Sequence, residues 1–306
     1  MKEPRGWKNA IAREPARHQW KLPMKNMPPL PTLNIQAILR QFGLRPSKGL
    51  GQNFLVDEMV LEKIVTGAGI DKKDAVLEIG PGLGSLTRHL AQRTGKVVAV
   101  ELDKKLFPAL VSILGPFRNI GVIQGDILEM NISELMPEDG YVVVANIPYY
   151  ITSALIRRLL ESKTKPRRIV LTVQKEIADR ICASKKLSLL AVSVQIYGTP
   201  SIKLQIPAEA FFPVPNVDSA VIQIDIDPSP KMDPIQMNTF FTLARAGFGQ
   251  KRKTLRNSLT AGLHINSTET ESLLEQAGID PQRRAETLSI PEWIRLTDRY
   301  LRIKSL

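Results

Sequence analysis

The chain has 306 residues, with 42 Lys and Arg against 30 Asp and Glu, and a formal charge of +12. Its length suffices for one large domain or two unequal ones, and its 43% hydrophobic and 24% charged residues are typical of a soluble globular protein. A single cysteine, Cys182, excludes a disulfide framework and a cysteine-based zinc site. No apolar run reaches the ~18 residues of a membrane helix, and no secretory signal is evident, so we expect a cytoplasmic protein.

The basic excess lies at the two ends of the chain. Residues 1–50 carry 10 basic and 2 acidic residues, residues 51–230 carry 20 of each, and residues 231–306 carry 12 and 8. Two interpretations fit this distribution: a polyanion such as nucleic acid bound by the ends, or a solubilising tail with a solvated helix face. Charge alone does not decide between them.

The elements predicted in chain order are those of an α/β protein. Residues 1–31 combine Pro and basic residues without a period, which predicts a disordered extension. A helix is expected from about Leu33, and another after Asp57 as its N-cap. Helices then alternate with short apolar strands at 75–79, 96–100, 121–123, 141–145 and 169–173. Such strands are typical of a parallel sheet covered on both faces, which predicts a doubly wound, Rossmann-like domain.

The pattern changes after residue 182. Leu190–Tyr197 and Ala220–Ile226 are predicted as two strands without a helix between them, and hence as an antiparallel pair at one edge of the sheet. After residue 230 only helices are predicted, at 240–246, 253–259, 268–277 and 291–302. The predicted organisation is an extension at 1–31, an α/β domain at 32–230 and a small all-α domain at 231–306.

A glycine-rich loop, Glu78-Ile-Gly-Pro-Gly-Leu-Gly84, joins the first α/β strand to the next helix. Its glycines allow a tight turn and close approach of a ligand to the backbone. Glu101 ends the next strand, 19 residues after Gly82, which matches the interval to a carboxylate that binds ribose hydroxyls. This combination favours a nucleoside-type cofactor over a merely structural turn.

Two features favour S-adenosylmethionine over a dinucleotide. The third glycine of the dinucleotide pattern is replaced by Ser85. Glu78 lies where it would attract an amine and repel a pyrophosphate, and no acid or base suited to hydride transfer is evident. Asp126, after the third strand, has two interpretations that stay open: an acceptor for the adenine amine, or a loop-forming residue after Gly125.

Asn146-Ile-Pro-Tyr149 follows the fourth strand of the α/β alternation, where ligands bind in open α/β sheets. An amino group on a base is a poor nucleophile because its lone pair is delocalised into the ring. The Asn146 side-chain oxygen and the Ile147 carbonyl are suited to accept its hydrogens. Pro148 fixes the backbone, and Tyr149 can stack on the base and hold it for in-line attack. With the glycine loop, this motif indicates methyl transfer to a base.

At this level of detail the chain resembles the small-subunit ribosomal RNA adenine N6,N6-dimethyltransferase family. The resemblance spans about residues 33–300. It is carried by ordered motifs at 51–55, 78–84, 125–126, 146–149, 174–176, 211–215, 217–221, 252–258 and 284–288. It implies a class I methyltransferase domain of the Rossmann-like type, and as substrate two adjacent adenosines near the 3′ end of the small-subunit RNA, each methylated twice.

The resemblance also implies roles for individual residues. The implied cofactor-binding residues are Gln52, Asn53, Leu55, Gly80, Gly82, Gly84, Glu101, Asp126 and Asn146. The implied catalytic residues, which position the target adenine, are Asn146, Pro148, Tyr149 and Phe211. Phe211 would stack on the face of the base opposite Tyr149, with Phe212 as a neighbour that shares or replaces that role. Lys251, Arg252, Lys253 and Arg256 would contact RNA phosphates, with Lys253 and Arg256 on one helix face.

Other expectations complete the hypothesis. S-adenosylmethionine is the expected cofactor, the small ribosomal subunit and its RNA are the expected partners, and the protein is expected to be a monomer without membrane attachment. His18, His89 and His264 lack ligand spacing, so no metal is expected. The alternatives are an RNA-binding factor acting mainly in subunit assembly, and a dimethyltransferase of the large-subunit RNA. The 252–258 and 284–288 motifs argue against the latter.

Overall fold

The computed structural model describes residues 30–304, which divide into two compact units. One unit comprises the chain up to Lys175 together with Ile202–Ile224, and the other comprises Glu176–Ser201 and the chain from Asp225 onward. The extension predicted at 1–31 lies outside the described residues as far as residue 29. The boundary expected near residue 230 stays a prediction, and the division found here adds the segment 176–201 to the helical unit.

Within residues 30–304, nine strands form a large mixed sheet and a small ribbon. The strands are β1 Phe54–Leu55, β2 Ala75–Ile79, β3 Lys96–Glu101, β4 Ile120–Gln124, β5 Val142–Asn146, β6 Arg168–Gln174, β7 Gly198–Ile206, β8 Phe211–Phe212 and β9 Ser219–Ile226. The large sheet has the order β4-β3-β2-β5-β6-β9-β7, and β1 pairs with β8 in the ribbon. The pairs among β2 to β6 are parallel. The predicted doubly wound fold is therefore confirmed.

The central strands are buried on both faces, which is why their sequences lack polar alternation. Val76 and Leu77 are successive residues of β2 that point to opposite faces, and both are fully buried. The chain leaves β2 towards β3 and β4 on one side and returns to β5 and β6 on the other. The order of strands thus reverses between β2 and β5, and the crevice at their carboxyl ends is where such sheets bind ligands.

An antiparallel pair does close one edge of the sheet, but its first member was predicted in the wrong place. β9 agrees with the prediction, whereas its edge partner β7 is Gly198–Ile206. The residues predicted as that strand, 190–197, form most of helix α8, Leu189–Gln195. Ser188 is the N-cap of this helix, and its side chain accepts a hydrogen bond from the Ala191 amide. Apolar residues occupy most positions of this run, so its periodicity did not distinguish helix from strand.

Helices flank the sheet and form the second unit. Those of the first unit are α1 Ile35–Gln41, α2 Glu58–Gly67, α3 Ser85–Arg93, α4 Phe107–Leu114, α5 Ile132–Leu135 and α6 Thr152–Glu161. The others are α7 Lys175–Ile181, α8, α9 Pro234–Phe248, α10 Leu255–Leu263, α11 Ser267–Gln276 and α12 Ile290–Lys304. Asp57 caps α2 as predicted, since its carboxylate accepts the Val60 amide at 3.1 Å. Within residues 30–304, no helix is both long and apolar enough to span a membrane.

The second unit has its own apolar core, centred on Trp293 and Phe240, both fully buried. Two glycines allow its helices to approach closely. A Cβ at Gly262 of α10 would lie 2.6 Å from the Cβ of Ala246 in α9, and one at Gly247 would lie 2.7 Å from the Trp293 ring. Small residues at these positions therefore set the spacing of α9 and α10.

Candidate active site

A cavity opens at the carboxyl ends of β2, β3 and β5 in the first unit. Ten residues that were predicted to bind cofactor or substrate line it: Gln52, Asn53, Leu55, Gly80, Gly82, Glu101, Asp126, Asn146, Pro148 and Tyr149. These residues come from five separate loops, which the parallel sheet brings to one edge. The predicted Gly84 and Phe211 are not among the residues that line the cavity.

The glycines of the loop have two roles: some leave space for a ligand, and one allows close packing of helices. Gly80, Gly82 and Gly84 all have positive φ, at 69°, 59° and 83°, where other residues are strained. A Cβ at Gly80 would meet only the Asn146 carbonyl oxygen, at 3.8 Å, so this part of the loop leaves room for a ligand. A Cβ at Gly84 would lie 3.0 Å from Leu114. Gly84 therefore serves the packing of α3 on α4, which corrects its predicted contact with the cofactor.

Glu101 is a buried carboxylate that the backbone holds in place. The Gly82 amide donates to its Oε2 at 3.0 Å, and the Asp103 amide donates to its Oε1 at 2.8 Å. Burial raises the pKa of Glu101, and these two backbone hydrogen bonds act in the opposite direction. Each oxygen keeps a lone pair for a further donor, as a carboxylate that binds a ribose diol requires.

Glu78 lies at the end of β2 and is 1% exposed. Its Oε2 is buried and has no hydrogen-bond partner within residues 30–304, although the residue lines the cavity. Burial raises the pKa of this carboxyl to about 8, and the nearby Glu101 carboxylate acts in the same direction. A buried acid with one oxygen that lacks a partner fits a cationic ligand group, which would supply both that partner and the opposite charge.

Gln52 lines the cavity, but its polar atoms bind protein groups. Its Oε1 accepts the Ser47 amide at 2.8 Å, and its Nε2 donates to Asp103 Oδ2 at 2.9 Å. The side chain thus ties the 47–52 turn to the loop after β3. Its amide therefore holds the cavity wall, and the binding of cofactor by Gln52 stays a prediction.

Asp126 follows β4, and both of its interpretations have support. Its Oδ1 accepts the Leu128 amide at 2.8 Å, and its carbonyl accepts the amides of Glu129 and Met130, so the residue does form the loop. Asp126 also lines the cavity, and Oδ2 has no hydrogen-bond partner among residues 30–304. One oxygen therefore builds the loop while the other is available to a ligand amine.

Asn146 ends β5, and a hydrogen bond fixes the orientation of its side-chain amide. Its Nδ2 donates to the Asn53 carbonyl at 3.1 Å. This bond fixes the amide group so that Oδ1, the acceptor, is left for a ligand. Asn53 contributes to the site through its backbone, and the adjacent Leu55 is 2% exposed, so it forms part of the cavity wall.

Tyr149 begins a 3₁₀ turn, Tyr149–Ile151, directly after Pro148. Its hydroxyl and that of Ser219 lie 2.7 Å apart, and Ser219 at the start of β9 is fully buried. Burial raises the pKa of the Tyr149 phenol, so the hydroxyl stays neutral at physiological pH. The ring is held at both ends, by the backbone turn and by its hydroxyl, in an orientation from which it can stack on a base.

Phe211 is placed differently from the prediction. It is 2% exposed and packs in the core of the first unit, where β8 pairs with β1 and Phe211 lies opposite Leu55. In this conformation its ring cannot stack on a base in the cavity. Phe212 lies on the other face of the ribbon, opposite Phe54, and is partly buried beside Leu83. The ribbon therefore supports the cavity wall through both rings.

The predicted RNA-binding residues lie in the second unit. Lys251, Arg252 and Lys253 are exposed in the turn before α10, and Thr254 is the N-cap of that helix. Lys253 therefore precedes the helix and does not share a face with Arg256, which corrects the prediction. Arg256 donates to Glu271 of α11 at 3.4 Å and is partly buried, so it stabilises the pairing of two helices.

The sequence of this chain matches a known protein family. Residues 44–301 match the family described as Ribosomal RNA adenine dimethylase. The chain belongs to this family. The predicted resemblance is thereby confirmed, and the adenine dimethylase match includes every residue of the cavity named above.

Individual relatives agree with the family match. Ribosomal RNA small subunit methyltransferase A of Dehalococcoides mccartyi (strain CBDB1) is 47% identical over 274 residues, which are 88% of this chain and 94% of that one. The crystal structure of the 23S rRNA methyltransferase ErmE is 27% identical, with a TM-score of 0.66, and covers 81% of this chain and 99% of its own. A dimethyladenosine transferase from Plasmodium falciparum, 24% identical with a TM-score of 0.70 over 80% and 96%, supports the fold.

The structure of this adenine dimethylase family member adds two residues that the sequence interpretation did not single out. Ser219 holds the Tyr149 hydroxyl, and Asp103 holds Gln52. Ser219 lies in the motif at 217–221, and Asp103 lies two residues after Glu101. The signal available in the sequence was that each is a polar residue next to the end of a strand. Within residues 30–304, no group of three or more His, Cys, Asp or Glu is arranged to hold a metal ion.

Proposed function

We propose that this adenine dimethylase transfers methyl groups from S-adenosylmethionine to N6 of two adjacent adenosines near the 3′ end of the small-subunit ribosomal RNA. Each adenosine would receive two methyl groups, giving N6,N6-dimethyladenosines. The observation that carries the proposal is the orientation of Asn146, whose Nδ2 is bound to the Asn53 carbonyl at 3.1 Å beside Tyr149. The 47% identical relative from Dehalococcoides, named as a small-subunit methyltransferase, supports the choice of subunit.

The cavity residues fit S-adenosylmethionine. The open space at Gly80 would take the aminocarboxylate end, and the unpartnered Glu78 carboxyl would face its ammonium group. Glu101 would accept hydrogen bonds from the ribose hydroxyls, and Asp126 Oδ2 one from the adenine amine. Leu102 lines the cavity and is 45% exposed, so it offers apolar surface to the adenine ring.

S-adenosylmethionine, when bound, would supply an electrophilic methyl carbon for the N6 lone pair, with a thioether as the leaving group. Asn146 Oδ1 would accept a hydrogen from the N6 amine, which localises the lone pair towards the methyl group. Tyr149 would stack on the base and keep it in line for attack. The alkylated nitrogen is acidic, so its proton passes to water and no protein base is required.

We further propose that the second unit contributes phosphate contacts. Lys251, Arg252 and Lys253 form an exposed basic turn at the N-terminus of α10, where the helix dipole adds to the positive potential. This arrangement would account for the basic excess in residues 231–306. Base chemistry would then belong to the first unit and non-specific RNA affinity to the second.

The test uses small ribosomal subunits from a strain that lacks this methylation. After incubation with the protein and S-adenosylmethionine, mass spectrometry of RNA fragments should locate four added methyl groups on two adjacent adenosines. The Asn146→Ala variant should lose this activity while it still binds subunits, and Glu138→Ala, an exposed carboxylate in the same unit, should retain it.

Three outcomes would count against the proposal, the second of them only against methylation as the protein's main role. Methylation of large-subunit RNA alone would assign the chain to the activity named for ErmE. If Asn146→Ala lost methylation but fully restored growth of a deletion strain, the protein would act mainly as an assembly factor. Unchanged adenosines in both RNAs, with cofactor bound, would exclude methyl transfer to ribosomal RNA.

A further inference from the structure

Tyr150 is a large side chain that the protein leaves in solvent at the rim of the active-site cavity. It is 63% exposed, whereas Tyr149 beside it is partly buried. Its hydroxyl has no hydrogen-bond partner within the described part of the chain, residues 30–304. The catalytic arrangement described above uses Tyr149 and gives Tyr150 no role. An aromatic ring exposed at the entrance of a site for a base is available for a ligand.

The ring of Tyr150 covers a tight turn that carries a cation. A Cβ at Gly51 would lie 3.5 Å from Tyr150 Cε1, so the ring lies against the turn that ends at Gly51. The Gly51 amide donates to the Lys48 carbonyl at 3.0 Å, which closes the turn, and Gly51 has a φ of 60° that requires glycine. Lys48 is exposed in this turn. An exposed aromatic ring at the cavity therefore packs against a turn in which the Lys48 side chain is also exposed.

The same turn is rigid, because Gln52 ties it to Asp103 and the Ser47 carbonyl accepts the Gln52 amide at 3.2 Å. Tyr150 is likewise fixed, since it lies within the Tyr149–Ile151 3₁₀ turn, where the Ile151 amide donates to the Pro148 carbonyl. A preorganised aromatic ring loses little entropy when it binds a ligand.

We propose that Tyr150 and Lys48 form a rim subsite for the nucleotide adjacent to the adenosine in the cavity. The base of that nucleotide stacks on the Tyr150 ring, and its phosphate is neutralised by Lys48. The inference rests on the proposed function, since an RNA strand that places one base beside Tyr149 must carry the next base past the rim. Tyr149 and Tyr150 are consecutive residues that both line the cavity, so a neighbouring base would meet Tyr150 while the adenosine lies beside Tyr149. The subsite would therefore favour a purine as the neighbour.

The experiment measures methylation kinetics on small subunits from a strain that lacks the modification, with each adenosine quantified separately. Base stacking on an aromatic residue contributes about 1–3 kcal/mol, so Tyr150→Ala should raise the KM for subunits on the order of tenfold. Tyr150→Leu, which keeps apolar bulk without a π face, should behave like Tyr150→Ala. Tyr150→Phe should restore the KM to within about twofold of the unmodified protein. Lys48→Gln should lower the salt dependence of subunit affinity by about one phosphate contact.

Cofactor affinity, measured by calorimetry without subunits, separates this role from a structural one. Cofactor affinity should stay within about twofold in all Tyr150 variants, because a larger change would require the loss of a contact worth about one hydrogen bond. The matched control is Met59→Ala, which removes another exposed apolar side chain, 68% exposed on α2. A Tyr150→Ala variant with the subunit KM of Met59→Ala, or one whose loss is entirely in cofactor affinity, would overturn the inference. If the unmodified protein methylated no adenosine, the proposed function itself would fail.

Discussion

The side chain of Gln52 donates a hydrogen bond to Asp103 Oδ2 at 2.9 Å, across 51 residues of sequence. The Asp103 amide in turn donates to Glu101 Oε1, and the Gly82 amide donates to Glu101 Oε2. One chain of hydrogen bonds thus links the 47–52 turn, the carboxylate proposed to bind ribose and the glycine loop. The positions of these three parts of the cavity wall therefore depend on one another, and a change in one is expected to affect the others.

The first prediction concerns this chain. Asp103→Ala should weaken cofactor binding by about 3- to 10-fold, because a lost hydrogen bond of about 0.5–1.5 kcal/mol loosens the turn against the cavity. Calorimetric titration with S-adenosylmethionine measures the change, and kcat at saturating cofactor should fall by less. Glu138→Ala serves as the control. Equal affinities in both variants would mean that the cofactor site is formed without the Gln52 tether.

The second prediction concerns the hydrogen bond between Tyr149 and Ser219. Tyr149→Phe and Ser219→Ala should each lower kcat/KM by about 3- to 10-fold, because the ring loses its fixed orientation. The double variant should resemble either single variant, since both remove the same bond. Tyr149→Ala should be far more severe, with stacking lost as well. Additive losses in the double variant would contradict an orienting role for Ser219.

The third prediction follows from the buried Glu78. Its pKa of about 8 in the free protein means that the carboxyl is protonated near pH 7. If it faces the cofactor's ammonium group, binding should ionise it and release close to one proton per molecule bound. Calorimetry in buffers of different ionisation enthalpy measures this proton. Glu78→Gln should abolish the release, and an unchanged release in that variant would place the cofactor amine elsewhere.

The raised pKa of Glu78 also predicts how the stability of the folded protein changes with pH. The folded-state pKa of Glu78 is raised from an ordinary value of 4.5 to about 8. Its contribution to stability is therefore fully present below pH 4.5 and is lost as the pH rises through 8. The free protein should unfold more easily at pH 9 than at pH 6, and Glu78→Gln should reduce that difference. Thermal unfolding at the two pH values provides the measurement.

The fourth prediction assigns the salt dependence to the second unit. Replacing Lys251, Arg252 and Lys253 together by Gln should lower the slope of log affinity for subunits against log salt by up to about three, about one for each phosphate contact. Cofactor affinity should not change. Arg256→Gln is the contrast, because Arg256 pairs with Glu271: it should reduce stability and leave the slope in place. A slope unaffected by the triple change would remove this turn from the RNA interface.

The fifth prediction tests the packing of α9 on α10. A Cβ at Gly262 would lie 2.7 Å from the Ala246 Cα, a backbone atom that cannot rotate away. Gly262→Ala should therefore destabilise the protein by about 1–3 kcal/mol, as overpacking of a core does. Gly67→Ala is the matched control, since nothing lies within 4 Å of its Cβ position, and it should be neutral or slightly stabilising. Urea unfolding followed by circular dichroism distinguishes them.

The sequence pattern was sufficient to predict a strand where both faces of that strand are buried. The run 75–79 is apolar at almost every position because β2 is covered on both faces, and this pattern predicts a central strand directly. The same logic failed for 190–197, where apolar residues also predominate but most of the run belongs to helix α8. The signal that distinguishes them is Ser188, whose N-cap bond is local and readable from sequence.

The residue types of the candidate site were also predictable, but the direction of each side chain was not. Gln52 and Asn146 both carry amides, yet one is bound at both ends by protein groups and the other leaves its oxygen to the cavity. Phe211 and Phe212 are neighbours whose faces depend on the register of β8 with β1. These properties arise from pairings between distant segments, which no local period encodes.

The fixed setting of Glu101 has a consequence for cofactor selection. Both of its oxygens already accept backbone N–H groups, so the carboxylate is aligned as a pair of acceptors before any ligand arrives. A ribose with two free hydroxyls presents two donors to it. A ribose phosphorylated at either hydroxyl would bring negatively charged acceptor oxygens against this buried carboxylate. If Glu101 binds the ribose as proposed, the site would discriminate against a ribose phosphorylated at these hydroxyls, by charge and by hydrogen-bond polarity together.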